Sequence, residues 1–161
     1  MSKKMIEDII NNVLNGDAKV NALDLVAHIR ALEESDNYTI SMHDEKDETG
    51  WVASNLGFIF ISGSDDFPGP WTMWMEAGNI GEGLEHPADD HIKEFAWSHV
   101  SPCGSCGGNC SPGISTKVFG KDFDNTCQSN LIFINPSAET VNSMKKLVDI
   151  KREAFLIQKG N

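Results

Sequence analysis

The chain has 161 residues, 40% of them hydrophobic, and a formal net charge of −11. That length and apolar content predict one domain over 1–161 with its own core, and exclude a disordered chain. The acidity, with a pI near 4.7, repels phosphate backbones and anionic bilayer surfaces, so neither a nucleic-acid partner nor a membrane partner is expected.

No apolar run approaches the roughly 20 residues that a bilayer-spanning helix needs. Ile6 to Leu14 is interrupted by Glu7, Asp8, Asn11 and Asn12, which argues against a signal-peptide core. A cytoplasmic, reducing location follows as the expectation. In such a compartment clustered cysteines serve metals or redox chemistry more often than disulfides.

Taken in chain order, Ile6, Ile9, Ile10, Val13 and Leu14 fall on one helical face. Asn15-Gly16 predicts the end of that helix. Asn21 predicts the N-cap of a second helix carrying Leu23, Val26, Ala27 and Arg30, with Leu25, Ile29 and Leu32 widening its stripe. Together they form a helix hairpin. From Tyr38 the period changes to two: Tyr38, Ile40 and Met42 alternate with polar residues. Asp44 to Gly50 reads as a solvated turn, and Trp51–Ser54 and Leu56–Ile61 as strands.

Phe58 to Ile61 is apolar on both faces, as in a central strand. Trp71 to Met75 predicts a strand with Trp71, Met73 and Met75 on one face and Thr72 and Trp74 on the other. Lys93 to Val100 reads as a further strand, followed by a cysteine-rich loop over 101–113. Leu131 to Ile134 is a buried strand. Asn135-Pro136 opens a final helix burying Val141, Met144, Val148 and Phe155, with Leu147, Ala154 and Ile157 beside them. The class is α+β: a helix hairpin, an antiparallel meander, a metal-loop segment within 99–127, one strand and a long helix.

The chemistry concentrates in Cys103, Cys106, Cys110 and Cys127, four cysteines within 25 residues and none in the other 136. Gly104, Gly107 and Gly108 permit the sharp turns that bring closely spaced thiolates to one point. A fourth thiolate from Cys127 completes a tetrahedral shell and ties the loop to the following strand, the logic of a structural zinc site. An iron–sulfur cluster suits the same four ligands. A redox pair at Cys103 and Cys106 is the third reading, and disulfides or inert thiols the fourth. His99 competes for the fourth ligand position.

No complete catalytic signature is present. Glu85 to His91 holds two histidines and three carboxylates, but Pro87 breaks the helix that a His-Glu-x-x-His site needs. Ser62 to Pro70 follows a buried strand, where ligand loops often lie. It contains Asp65 and Asp66 and lacks a nucleophile elbow. Trp71, Trp74 and Trp97 are candidates for the wall of an apolar pocket, against the plainer reading of core packing.

The stretch Cys103-Gly-Ser-Cys-Gly-Gly-Asn-Cys-Ser-Pro-Gly113, then Phe119-Gly-Lys-Asp-Phe-Asp-Asn-Thr-Cys127 and Phe133-Ile-Asn-Pro-Ser-Ala-Glu139, resembles a group of uncharacterised bacterial proteins. They share a Cys-Gly-x-Cys loop, a Phe-Gly-Lys-x-Phe-Asp-Asn-x-Cys segment and a final helix. The resemblance implies no activity, only that the cysteines act as one unit. The expected function is a zinc-stapled domain, non-enzymatic, binding a small molecule or partner protein at Trp71, Trp74, Trp97, Asp65 and Asp66. The alternatives are a thiol-redox or iron–sulfur enzyme and an effector sensor with a tryptophan-lined pocket.

Overall fold

The computed structural model describes residues 4–32, 38–44, 47–61, 69–78, 80–82, 88–104 and 113–159, without the side chains of 47, 155 and 157–159. Helix α1 (Ile6–Val13) and helix α2 (Gly16–Arg30) form the expected hairpin. Their boundary differs from the sequence reading, because α2 begins at Gly16 rather than after Asn21. Asp17, Ala18 and Lys19 extend the helix without a break, and the Asn21 side-chain amide donates to Pro136 O at 3.2 Å instead of capping. Arg30 joins the two helices by a two-pronged pair with Glu7, at 2.7 and 3.1 Å.

Strands β1 (Ile40–Asp44), β2 (Asp47–Ala53), β3 (Gly57–Ile61) and β4 (Trp71–Met75) make an antiparallel meander. The solvated turn predicted over Asp44 to Gly50 is shorter than expected. Asp44 and Asp47 already pair across the hairpin, because ladder hydrogen bonds use backbone groups and tolerate exposed polar side chains. Helix α3 (Asp90–Ser98) follows, then β5 (Val100–Pro102), β6 (Ile114–Val118), β7 (Lys121–Ile134) and helix α4 (Ala138–Lys159).

The segment from Lys93 is helical, not a strand. Asp89 Oδ1 accepts from Ile92 N at 2.9 Å, an N-cap, and Ile92 and Ala96 are buried at helical spacing. The metal-loop segment within 99–127 is not all loop: from Ile114 on, β6 and β7 form a hairpin turning through Phe119 (φ +45°) and Gly120 (φ +78°). Two successive positive φ values mark a type I′ turn. The last helix starts later than Asn135. Asn135 N donates to Trp71 O at 2.8 Å, extending the β4–β7 ladder, and the Ser137 hydroxyl accepts from Thr140 N at 3.2 Å as the cap.

The sheet runs β1-β2-β3-β4-β7-β5, with β6 also on β7. Seven antiparallel strands and four helices among the described residues give an α+β fold. Ile6, Ile10, Leu25 and Ile29 from the hairpin, Val141, Met144, Leu147 and Val148 from α4, and Ile59, Ile61, Met73, Met75 and Leu131 from the sheet have no exposed surface. Each such side chain contributes about 1.5–3 kcal/mol of burial. The predicted stripe of α4 is thus confirmed where described, while the side chains of Phe155 and Ile157 lie outside the described residues. Among the described residues no helix is long and apolar enough to cross a membrane.

Candidate metal centre

β7 is the element that builds the site. It is 14 residues long and serves two neighbourhoods. Its end, Leu131–Ile134, pairs with β4. Its beginning, Lys121–Thr126, pairs with β6. The change between them is abrupt: from Val100–Leu131 to Pro102–Thr126, an advance of two residues along β5 takes up five along β7. Asn125 (φ +54°) and Asn130 (φ +64°) carry the irregularity, since asparagine enters the left-handed region at lower cost than most residues. Asn130 is 2% exposed. Its carboxamide accepts from Ala77 N at 3.0 Å and donates to Cys127 O at 3.2 Å. That clamp fixes the chain just where Cys127 sits.

The cysteine loop leaves and re-enters at one rung of the sheet. Pro102 and Ile114 both pair with Thr126, whose hydroxyl donates to Ile114 O at 3.0 Å. Cys103 N donates to Asn125 O at 2.7 Å. On the returning side Gly113 is packed so tightly that a Cβ would lie 2.6 Å from both Cys103 Cβ and Asn125 Oδ1. Only glycine admits that approach. Both stems of the loop therefore close on Asn125, two residues before Cys127. Cys127 is 5% exposed, Cys103 is partly exposed, and both are free thiols. Cys106 and Cys110 lie outside the described residues. Among the described residues no three His, Cys, Asp or Glu side chains gather as a metal-binding group.

His99 lies between Phe95 and Phe133, with ring centroids 4.6 and 4.7 Å away. Its Nδ1 is 2.8 Å from Phe95 O. A carbonyl only accepts, so Nδ1 donates in this contact, and Nε2 is the ring nitrogen left for a metal.

The three tryptophans do not line one wall. Trp71 is 1% exposed on the helix-covered face, as strand parity predicts. Trp74 lies on the opposite face, 5.2 Å from Phe60, which stacks with Phe58. Trp97 belongs to α3 and donates its indole N–H to Val118 O at 2.6 Å, tying the helix to β6. Lys121 sits 5.2 Å over its ring. Asp65 and Asp66 lie outside the described residues, as do Glu85, His86 and Pro87. Asp89 of that acidic motif serves as a helix cap. Asn125, Thr126, Asn130 and Gly113 were not among the expected site residues, and asparagines flanking Cys127 are the one sequence sign of them. Comparison of the chain with family models, curated proteins and solved structures gave no match.

Proposed function

We propose that residues 99–127 form a zinc-stapled lobe of a non-enzymatic binding domain, with Cys103, Cys106, Cys110 and Cys127 as thiolate ligands. One observation carries this reading: both stems of the cysteine loop converge on Asn125, beside the strand segment that holds Cys127. Cys106 is three residues from one stem residue, Cys103, and Cys110 three from the other, Gly113. Covalent geometry alone keeps each within about 11 Å of its stem. Four thiolates close a tetrahedral shell and leave no position for a substrate, which makes the site structural rather than catalytic. The metal adds to the stability of a three-residue strand, β5, whose pairing to β7 is irregular.

The binding surface is the sheet face opposite the helices, centred on Trp74, Phe60 and Phe58. It takes a small molecule or a partner protein with an apolar group to bury.

Elemental analysis and thiol titration of protein purified without added metal test the metal reading. About one zinc per chain is expected, with thiols that react only after a chelator is added. Iron with visible absorbance would transfer the same ligands to a cluster. Less than about a tenth of an equivalent of any transition metal, with four freely titrating thiols, overturns the reading.

A further inference from the structure

We infer that Asn15-Gly16 is a modification site, at which the carboxamide of Asn15 converts spontaneously to an aspartyl or isoaspartyl group. The hairpin of α1 and α2 turns on Leu14 and Asn15 alone. Gly16 enters α2 with φ +56°, a left-handed conformation that residues with a side chain rarely adopt. The turn therefore needs glycine, and that same glycine leaves its amide nitrogen unshielded. A Cβ built at Gly16 would meet nothing within 4 Å. Asn15 is exposed, and its side chain makes no cap hydrogen bond although it occupies the N-cap. Its carboxamide is thus held by no described group. This is the one Asn-Gly pair in the sequence.

The local field favours the reaction. Gly16 N is the first amide of the helix and has no intrahelical acceptor. The positive end of the α2 dipole stabilises the deprotonated amide and the oxyanion that develops at Asn15 Cγ. Gly16 N gives its proton to hydroxide and attacks Cγ. The N–Cγ bond forms, the Cγ–Nδ2 bond breaks and Nδ2 leaves as ammonia, its third proton taken from water, which restores the hydroxide. Water then opens the succinimide at either carbonyl, giving the two acids, and is the sole co-reactant consumed. Asn15 stands at ψ 161°, extended rather than poised for attack, so the folded chain reacts more slowly than the unfolded one. The product adds a negative charge beside Asp17 in the first turn of α2. The isoaspartyl form also inserts a main-chain atom next to Leu14, which is 2% exposed.

The other described asparagines in turns or bulges are protected. Asn130 is clamped on both sides, Asn135 precedes Pro136, which has no N–H, and Asn55 and Asn125 precede Leu56 and Thr126, whose side chains shield the amide.

The experiment incubates the full chain at mildly alkaline pH in heavy-oxygen water, digests it and weighs the peptides. The Asn15 peptide should gain the mass of an amide-to-acid exchange carrying one heavy oxygen. It should lead every other asparagine peptide several-fold and resolve into two isomers. Asn15→Ser should remove the signal. The inference fails if Asn15 stays intact in the folded protein over a period in which the urea-unfolded chain converts fully. It fails equally if another asparagine leads.

Discussion

Replacing Lys151 with methionine should stabilise the protein at neutral pH and should not do so at high pH. Lys151 follows the buried stripe of α4 at a half-buried position, and its ammonium donates to Glu76 O at the end of β4. Burial pushes its pKa down from 10.5 to about 8, against the opposing pull of the Glu76 carboxylate. Below pH 8 the amine is protonated in both folded and unfolded chains, and the folded state carries the full cost of burying the charge. Between the two pKa values the unfolded chain binds more protons, so unfolding free energy rises with pH until the cost is gone. A depression of that size corresponds to about 3 kcal/mol. The methionine forfeits the bond to Glu76 O, worth about 1 kcal/mol. The net gain for Lys151→Met is then about 2 kcal/mol at neutral pH, falling to a loss of about 1 kcal/mol above the ordinary lysine pKa. Urea denaturation of both proteins at several pH values measures it, and titrations common to both cancel in the difference. A difference that is flat with pH, or a less stable variant at neutral pH, would refute the reasoning.

Asn130→Ala removes both arms of a buried clamp from a residue in the left-handed region. A cost of about 2–4 kcal/mol is expected, visible in the urea midpoint and accompanied by faster reaction of the Cys127 thiol. Glu7→Gln weakens the pair that joins α1 and α2. The hydrogen bond from Arg30 holds the Glu7 carboxyl below its ordinary value of 4.5, so its contribution exists above that pH and is lost as pH falls through the folded-state pKa. The variant should cost about 1 kcal/mol at neutral pH, and paired denaturation curves in acid should converge.

The meander was legible because its strands advertise themselves. Phe58 to Ile61 is apolar throughout, and Trp71 to Met75 sets Trp71, Met73 and Met75 on one face, as strand parity requires. The segment after Lys93 was ambiguous. Phe95, Trp97 and His99 alternate as a strand would, but Ile92, Phe95 and Ala96 also fit a helix, and the Asp89 cap decides the matter. The β6–β7 hairpin was hidden by its turn. Asn-Gly or Asp-Gly usually marks a type I′ turn, whereas Phe119 takes the first position here. It does so in tertiary context: a Cβ on Gly81 would lie 2.6 Å from the Phe119 ring, and Phe119 N bonds to Ile80 O. No local pattern encodes that contact.

Cysteine spacing likewise announced a site but not the strand that carries it. Lys121 to Asn125 is too polar to signal a strand, yet it must be one for Thr126 to stand between Pro102 and Ile114. β7 binds the meander through regular pairing to β4, so its end is anchored by the core. Its beginning is anchored by the β6 hairpin, by one rung at Thr126 and by the Asn130 clamp, with the apolar burial of Val118 as support. Hairpins with little core beneath them are marginal alone. In the proposed site, a ligand shell spanning Cys103 and Cys127 would cross the irregular β5–β7 pairing, which keeps two pairs in register among the described residues. Its stabilisation would fall on that irregular join, so on this reading metal loss should loosen residues 99–127 before it disturbs the meander.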